Sequence, residues 1–179
     1  MTVRNVVIAL GVVVAALVAG ALWYEAPAPE RTAPQVALIS ALADDLATVE
    51  PGDPPIGLAA DEAECVAADI VDGIGIERMS ELSVDAASVR EAGFDPATVA
   101  LLAAEREVVV DAFDDCLDLT ELAVDSLAHA GGQAARACVR DALEGDNARA
   151  LWLWRVGPPT QAPPGEIDEA LATVDTCLG

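Results

Sequence analysis

The sequence predicts an all-α, disulfide-stapled domain of six to seven helices that follows an N-terminal transmembrane or signal helix. Apolar residues recur at three- and four-residue spacing in almost every segment after residue 33, and no stretch alternates persuasively as a strand. Glycine and proline punctuate these segments at short intervals. Four cysteines, all beyond residue 60, lie downstream of the seventeen-residue apolar run Val6 to Leu22.

The helices are expected in the following order. Pro34 suits the first turn of a helix over 35–50, on which Val36, Ile39, Leu42, Leu46 and Val49 form one stripe. Pro51, Gly52, Asp53, Pro54 and Pro55 stop it. A second helix starts at Asp61, with Glu64 as its capping-box partner, and runs to Asp72 before Gly73 and Gly75. Ser83 opens a short helix through Glu91, ended by Gly93. Asp95 and Pro96, as N-cap and N1, open the longest helix, which reaches about Leu117. Asp118 with Glu121 starts the next, stopped at Gly131 and Gly132. Helices over 133–144 and 165–178 complete the set, with 150–164 read as irregular.

The N-terminal run spans roughly 26 Å as a helix, slightly under a bilayer core of about 30 Å. Trp23 and Tyr24 suit the headgroup zone and extend it. Arg4 precedes the run and Glu25 and Glu30 follow it, which orients the N-terminus inside and the rest outside. Residues 1–25 are therefore expected to be a membrane anchor. The rival reading is a cleaved signal peptide, with Ala19, Gly20 and Ala21 as the cleavage site. Both readings export the chain. Residues 26–35, rich in proline, form a spacer, and 36–179 form one acidic helical domain.

The chain carries 31 Asp and Glu against nine arginines and no lysine, a net charge of −22. That field repels phosphate, so nucleic acid is excluded as a partner, and an anionic membrane surface is disfavoured. A cationic protein partner remains compatible with it.

Two stretches look alike. Cys65-Val66 with Ile70 matches Cys138-Val139 with Leu143, and Asp114-Asp115-Cys116-Leu117 matches Asp175-Thr176-Cys177-Leu178. Each Cys-Val helix is followed by one Asp-x-Cys-Leu helix, which suggests a duplicated unit over about 61–117 and 133–178. The pattern selects Cys65–Cys116 and Cys138–Cys177 from the three possible pairings. Zinc is disfavoured because every gap between cysteines exceeds twenty residues, where zinc sites pair ligands at C-x₂₋₄-C. Export also favours oxidation.

Other constellations carry little chemistry. His129, the only histidine, sits at a helix end beside Gly131 and Gly132, where it complements the dipole. Asp111, Asp114, Asp115 and Asp118 cluster in sequence but lack a calcium-loop register. Arg106 falls among Leu102, Val109 and Phe113 on a helical wheel and needs a carboxylate, which Asp69 or Asp72 would supply in a buried ion pair. Trp152 and Trp154 either fill the core or contact a partner. No catalytic, cofactor-binding or metal residue is assigned. The function expected is a non-enzymatic binding or structural module of the cell envelope, held at the membrane by its N-terminal helix. A carboxylate-dependent hydrolase and a divalent-cation binder are the alternatives.

Overall fold

The computed structural model describes residues 30–48 and 57–179. The expected anchor over 1–25, residues 26–29 of the spacer, Val49 and the stop at 51–55 lie outside the described residues. Among those described there are nine α-helices and no strand: α1 Ala33–Ala47, α2 Ala60–Ile74, α3 Ile76–Glu81, α4 Ala86–Ala92, α5 Ala103–Cys116, α6 Leu119–Leu127, α7 Gln133–Ala142, α8 Asn147–Arg155 and α9 Gly165–Leu178. None of them is long and apolar enough to cross a membrane.

Local chemistry sets these boundaries. Gln35 accepts the Thr32 N–H at 2.8 Å and starts α1 two residues earlier than expected. Its buried stripe is Leu38, Ile39, Ala41 and Leu42, while Val36 is 55% exposed. The expected stripe was therefore rotated: Leu38 faces inward in place of Val36. In α2 the capping carboxylate is Glu62, not Glu64, and it accepts the Ala59 N–H at 2.9 Å. Gly75, at φ 87°, ends α2 in a conformation that side chains resist.

Two helices are additions to those expected. The short α3 hangs on fully buried Met79. Ser83 (φ 61°) is a left-handed turn residue, not a cap. The cap of α4 is Asp85, whose carboxylate accepts from the Ala87 and Ser88 N–H groups at 2.9 and 2.8 Å. The segment read as irregular begins inside α8, which is held inward by Ala148 and Leu151, and the Gly157-Pro158-Pro159 break falls only after it.

The longest expected helix is also corrected. Asp95 and Pro96 open only a turn, in which the Asp95 carboxylate accepts the Ala97 N–H at 3.0 Å. The Leu101 N–H then donates to the Val99 carbonyl at 2.7 Å, a tight three-residue turn. It swings Leu101 into the core, and α5 starts afresh at Ala103.

In the first half of the domain, α2 packs on α1 and α5, and α1 packs on α4. In the second half, α7 packs on α6 and α9, and α6 packs on α8. The helix α8 also touches α5 and joins the halves. Disulfides link α2 to α5 through Cys65–Cys116 and α7 to α9 through Cys138–Cys177. The pairing is the one that the two-unit pattern selects. One closed core of valine, leucine, isoleucine and alanine runs through both halves. At the α2–α5 contact, a Cβ on Gly73 would sit 2.5 Å from Val108 Cγ1, so only glycine permits that approach. Asp45, near the end of α1, accepts the Phe94 N–H at 3.0 Å and ties α1 to the chain leaving α4.

Candidate functional site

The turn from α5 to α6 opens a cleft of about 520 Å³, whose wall includes Leu58, Glu62, Asp115, Cys116, Asp118 and Glu121. Most of its acids already serve the fold. Glu62 caps α2, and Asp118 caps α6 by accepting the Thr120 and Glu121 N–H groups at 2.9 and 3.1 Å. Glu121 takes Arg140 of α7 in a two-point pair at 2.5 and 2.8 Å. That guanidinium holds the Glu121 carboxyl below its ordinary value. Asp125, on the same rim, pairs with Arg136.

Each of the seven arginines from Arg78 to Arg155 is engaged within the fold. Arg78 donates from Nε to Glu105 at 2.6 Å and also meets Glu81. Arg149 of α8 reaches three acids of α5, with Glu107 at 2.6 Å, Asp111 at 2.7 Å and Asp114 at 3.9 Å. Arg90 donates to the Ala86 carbonyl. Arg155 donates to Ser126 Oγ at 3.1 Å, and its Cζ lies 5.6 Å from the Trp152 ring centroid. Burial pushes the Arg155 guanidinium down from its ordinary value, yet much of the residue still meets solvent and the charge is kept.

The residues singled out in the sequence divide as follows. Trp152 is half-buried, stacks on Phe113 with centroids 5.8 Å apart, and donates its indole N–H to the Leu119 carbonyl at 3.3 Å. Trp154 donates to the Gln161 carbonyl at 2.9 Å. Both indoles thus brace α8 against its own chain. Arg106 is half-buried and donates to the Leu101 carbonyl at 3.2 Å. Of the face expected around it, Val109 is buried and Phe113 packs against the core, whereas Leu102 is 61% exposed. On α2, Asp69 brings a carboxylate oxygen to 3.6 Å from Cys116 Sγ. Cys65, Asp69 and Cys116 place one ligand-type atom each within 4.8 Å of one another, the one such convergence among the described residues. The four aspartates from Asp111 to Asp118 do not converge, because Asp111 faces Arg149 and Asp118 turns back to its helix. The His129 Nδ1 lies 3.2 Å from the Ser126 carbonyl, and an oxygen that only accepts requires the proton on that nitrogen.

Sequence reasoning passed over two residues that matter here. Glu105 accepts the Leu102 N–H at 2.7 Å, capping α5, while it holds Arg78 of α3. Its i+3 position from the helix start was a legible signal, hidden by the misplaced start. Arg149 binds a Glu107, Asp111, Asp114 ladder whose i, i+4, i+7 spacing was equally legible.

Glu105 gives a pH prediction. The Arg78 guanidinium, then the Leu102 N–H, hold its carboxyl below the ordinary value. A depressed carboxyl contributes stability that is full above its unfolded pKa and lost as pH falls through the folded one. Relief of repulsion among the other acids acts in the opposite direction. The informative quantity is therefore the stability difference between the native chain and Glu105→Gln. It should be present at neutral pH and shrink from about pH 5 downward. Urea melts at both ends of that window check it, and a difference unchanged at the acid end would refute the assignment.

No family model matches the chain, and no curated protein and no solved structure matches it.

Proposed function

We propose that the chain is an exported, membrane-tethered, acidic helical module that binds a cationic protein partner in the cell envelope and performs no chemistry of its own. The observation that carries this reading is the fate of the arginines. All seven beyond Arg31 are spent on internal contacts, so what the domain offers outward is carboxylate. Such a field accelerates encounter with a basic surface and opposes nucleic acid. The two disulfides are compatible with a compartment outside the cytoplasm. Among the described residues, the carboxyls of Asp85, Glu105 and Glu121 are held below their ordinary values, whereas a general acid needs the opposite.

The duplicated-unit reading, 61–117 with 133–178, belongs to the same proposal. Extended by one preceding helix on each side, so that α1, α2, α4 and α5 match α6, α7, α8 and α9, it pairs the packing contacts and the disulfide of one half with those of the other. With Trp152 and Trp154 occupied internally, the contact surface is assigned to the acidic cleft around Asp115 instead. Capture from envelope extracts with the exported domain as bait tests this. The expected partner is basic, is lost when salt is raised past the Debye screening range, and is weakened by Glu62→Gln with Asp115→Asn. A partner indifferent to both changes would overturn the reading, as would the absence of residues 1–25 from the membrane-bound form for the tether.

A further inference from the structure

We propose that the reduced form of the Cys65–Cys116 pair is a binding site for a thiophilic divalent cation such as Zn²⁺, with Asp69 as third ligand. Three protein atoms from two helices converge there, two sulfurs and one carboxylate oxygen, all within 4.8 Å. Cys65 and Asp69 stand four residues apart on α2 and so share a face. Cys116 approaches from α5. The disulfide itself holds no metal, since the two sulfurs are bonded to each other.

A dithiol reductant changes this. Two electrons and two protons convert the bond into two thiols, and the reductant leaves as its own disulfide. The sulfurs must then move apart to van der Waals contact. A zinc tetrahedron with Zn–S about 2.3 Å and Zn–O about 2.1 Å has an S···S edge of about 3.8 Å and an S···O edge of about 3.6 Å. The Asp69 oxygen already stands 3.6 Å from Cys116 Sγ. Binding Zn²⁺ releases both thiol protons, so the ion replaces the covalent bond as the link between α2 and α5. Reoxidation returns two electrons to an acceptor disulfide and expels the ion.

The packing around the pair does not depend on the S–S bond alone. Val66 and Ile70 of α2 and Val109 and Val110 of α5 are buried on either side of it, and the Gly73–Val108 approach holds the helices close. The second disulfide is a built-in control. Four residues after Cys138 stands Ala142, which offers no ligand atom. The inference is independent of the proposed partner, because its readout is the metal alone.

The test uses the full chain reduced by a phosphine, titrated with Co²⁺ and then displaced by Zn²⁺. The expected result is one equivalent of Co²⁺ with thiolate-to-cobalt charge transfer and tetrahedral visible bands. The bands should be absent from the oxidised chain and kept in Cys138→Ser with Cys177→Ser. Asp69→Ala should weaken binding at least about tenfold, and Asp69→His, which supplies another zinc ligand, should retain it. Circular dichroism on each variant checks that helix is preserved. The proposal is overturned if the reduced chain shows no saturable band, if Asp69→Ala binds as tightly as the native chain, or if the band persists without Cys65 and Cys116.

Discussion

Replacing Cys65 and Cys116 together by alanine is expected to destabilise the domain by about 4 kcal/mol, because the bond closes a 51-residue loop whose freedom the unfolded chain would regain. The Cys138–Cys177 bond, over 39 residues, should contribute a similar amount by the same logarithmic law. Against a domain stability of about 5–15 kcal/mol, either loss is large, and both together approach the whole. A fall in melting temperature on the order of 10–15 °C for each pair is the expected reading by calorimetry. A shift of only a degree or two would mean that the packed helices alone hold the units. The connectivity is open to a direct check. With no lysine in the chain, trypsin cuts only after arginine, and Arg78, Arg106, Arg136, Arg140 and Arg155 leave the four cysteines on four separate peptides. A linked pair carrying Cys116 and Cys138 would contradict the fold.

Leu42→Ala is expected to cost about 2–5 kcal/mol, the range for emptying a filled site in a packed core. Leu42 has no solvent exposure and lies on α1, the helix that packs on both α2 and α4. The informative contrast lies on the same helix. Val36→Ala, at a position 55% exposed, should change stability by less than about 0.5 kcal/mol. Denaturant melts of the two variants decide which face of α1 is inward. Equal costs at the two positions would restore the stripe that helical spacing alone suggests.

That stripe illustrates how far the sequence could be read. The all-helical class, the domain-closing disulfides and the bounds of α9 follow from periodicity, cysteine placement and a Gly165 start, signals contained within single segments. The face of α1 did not follow, because Val36 and Leu38 are equally apolar and only contact with α2 and α4 separates them. The start of α5 was missed for a related reason. Asp-Pro is a good helix opening, yet here it makes only a turn: the Leu101 N–H closes on the Val99 carbonyl and Leu101 is buried before α5 begins. The wheel around Arg106 fails only at Leu102, which the shorter α5 leaves outside the helix. The Asp69–Cys116 approach joins residues 47 apart and follows only from two signals taken together, Asp69 at i+4 from Cys65 and the Cys65–Cys116 bond. Trp152 and Trp154 stand out in the sequence, but which way their N–H groups point is a property of α8 docked in place.

The disulfides enclose separate stretches of chain, and neither reaches from one half of the domain to the other. This arrangement has a mechanical meaning. Pulled from its two ends, the oxidised domain can yield only the residues outside the loops, and the 51 and 39 residues inside them withhold about 300 Å of contour at 3.3–3.6 Å per residue. What can part in the oxidised domain is therefore non-covalent: α1, which lies outside both loops, and the seam where α8 meets α5 through Arg149 and its three acids. Under load the oxidised domain would stretch briefly and stop, behaving as two short locked links joined by an electrostatic catch, whereas its reduced form would pay out as one long thread.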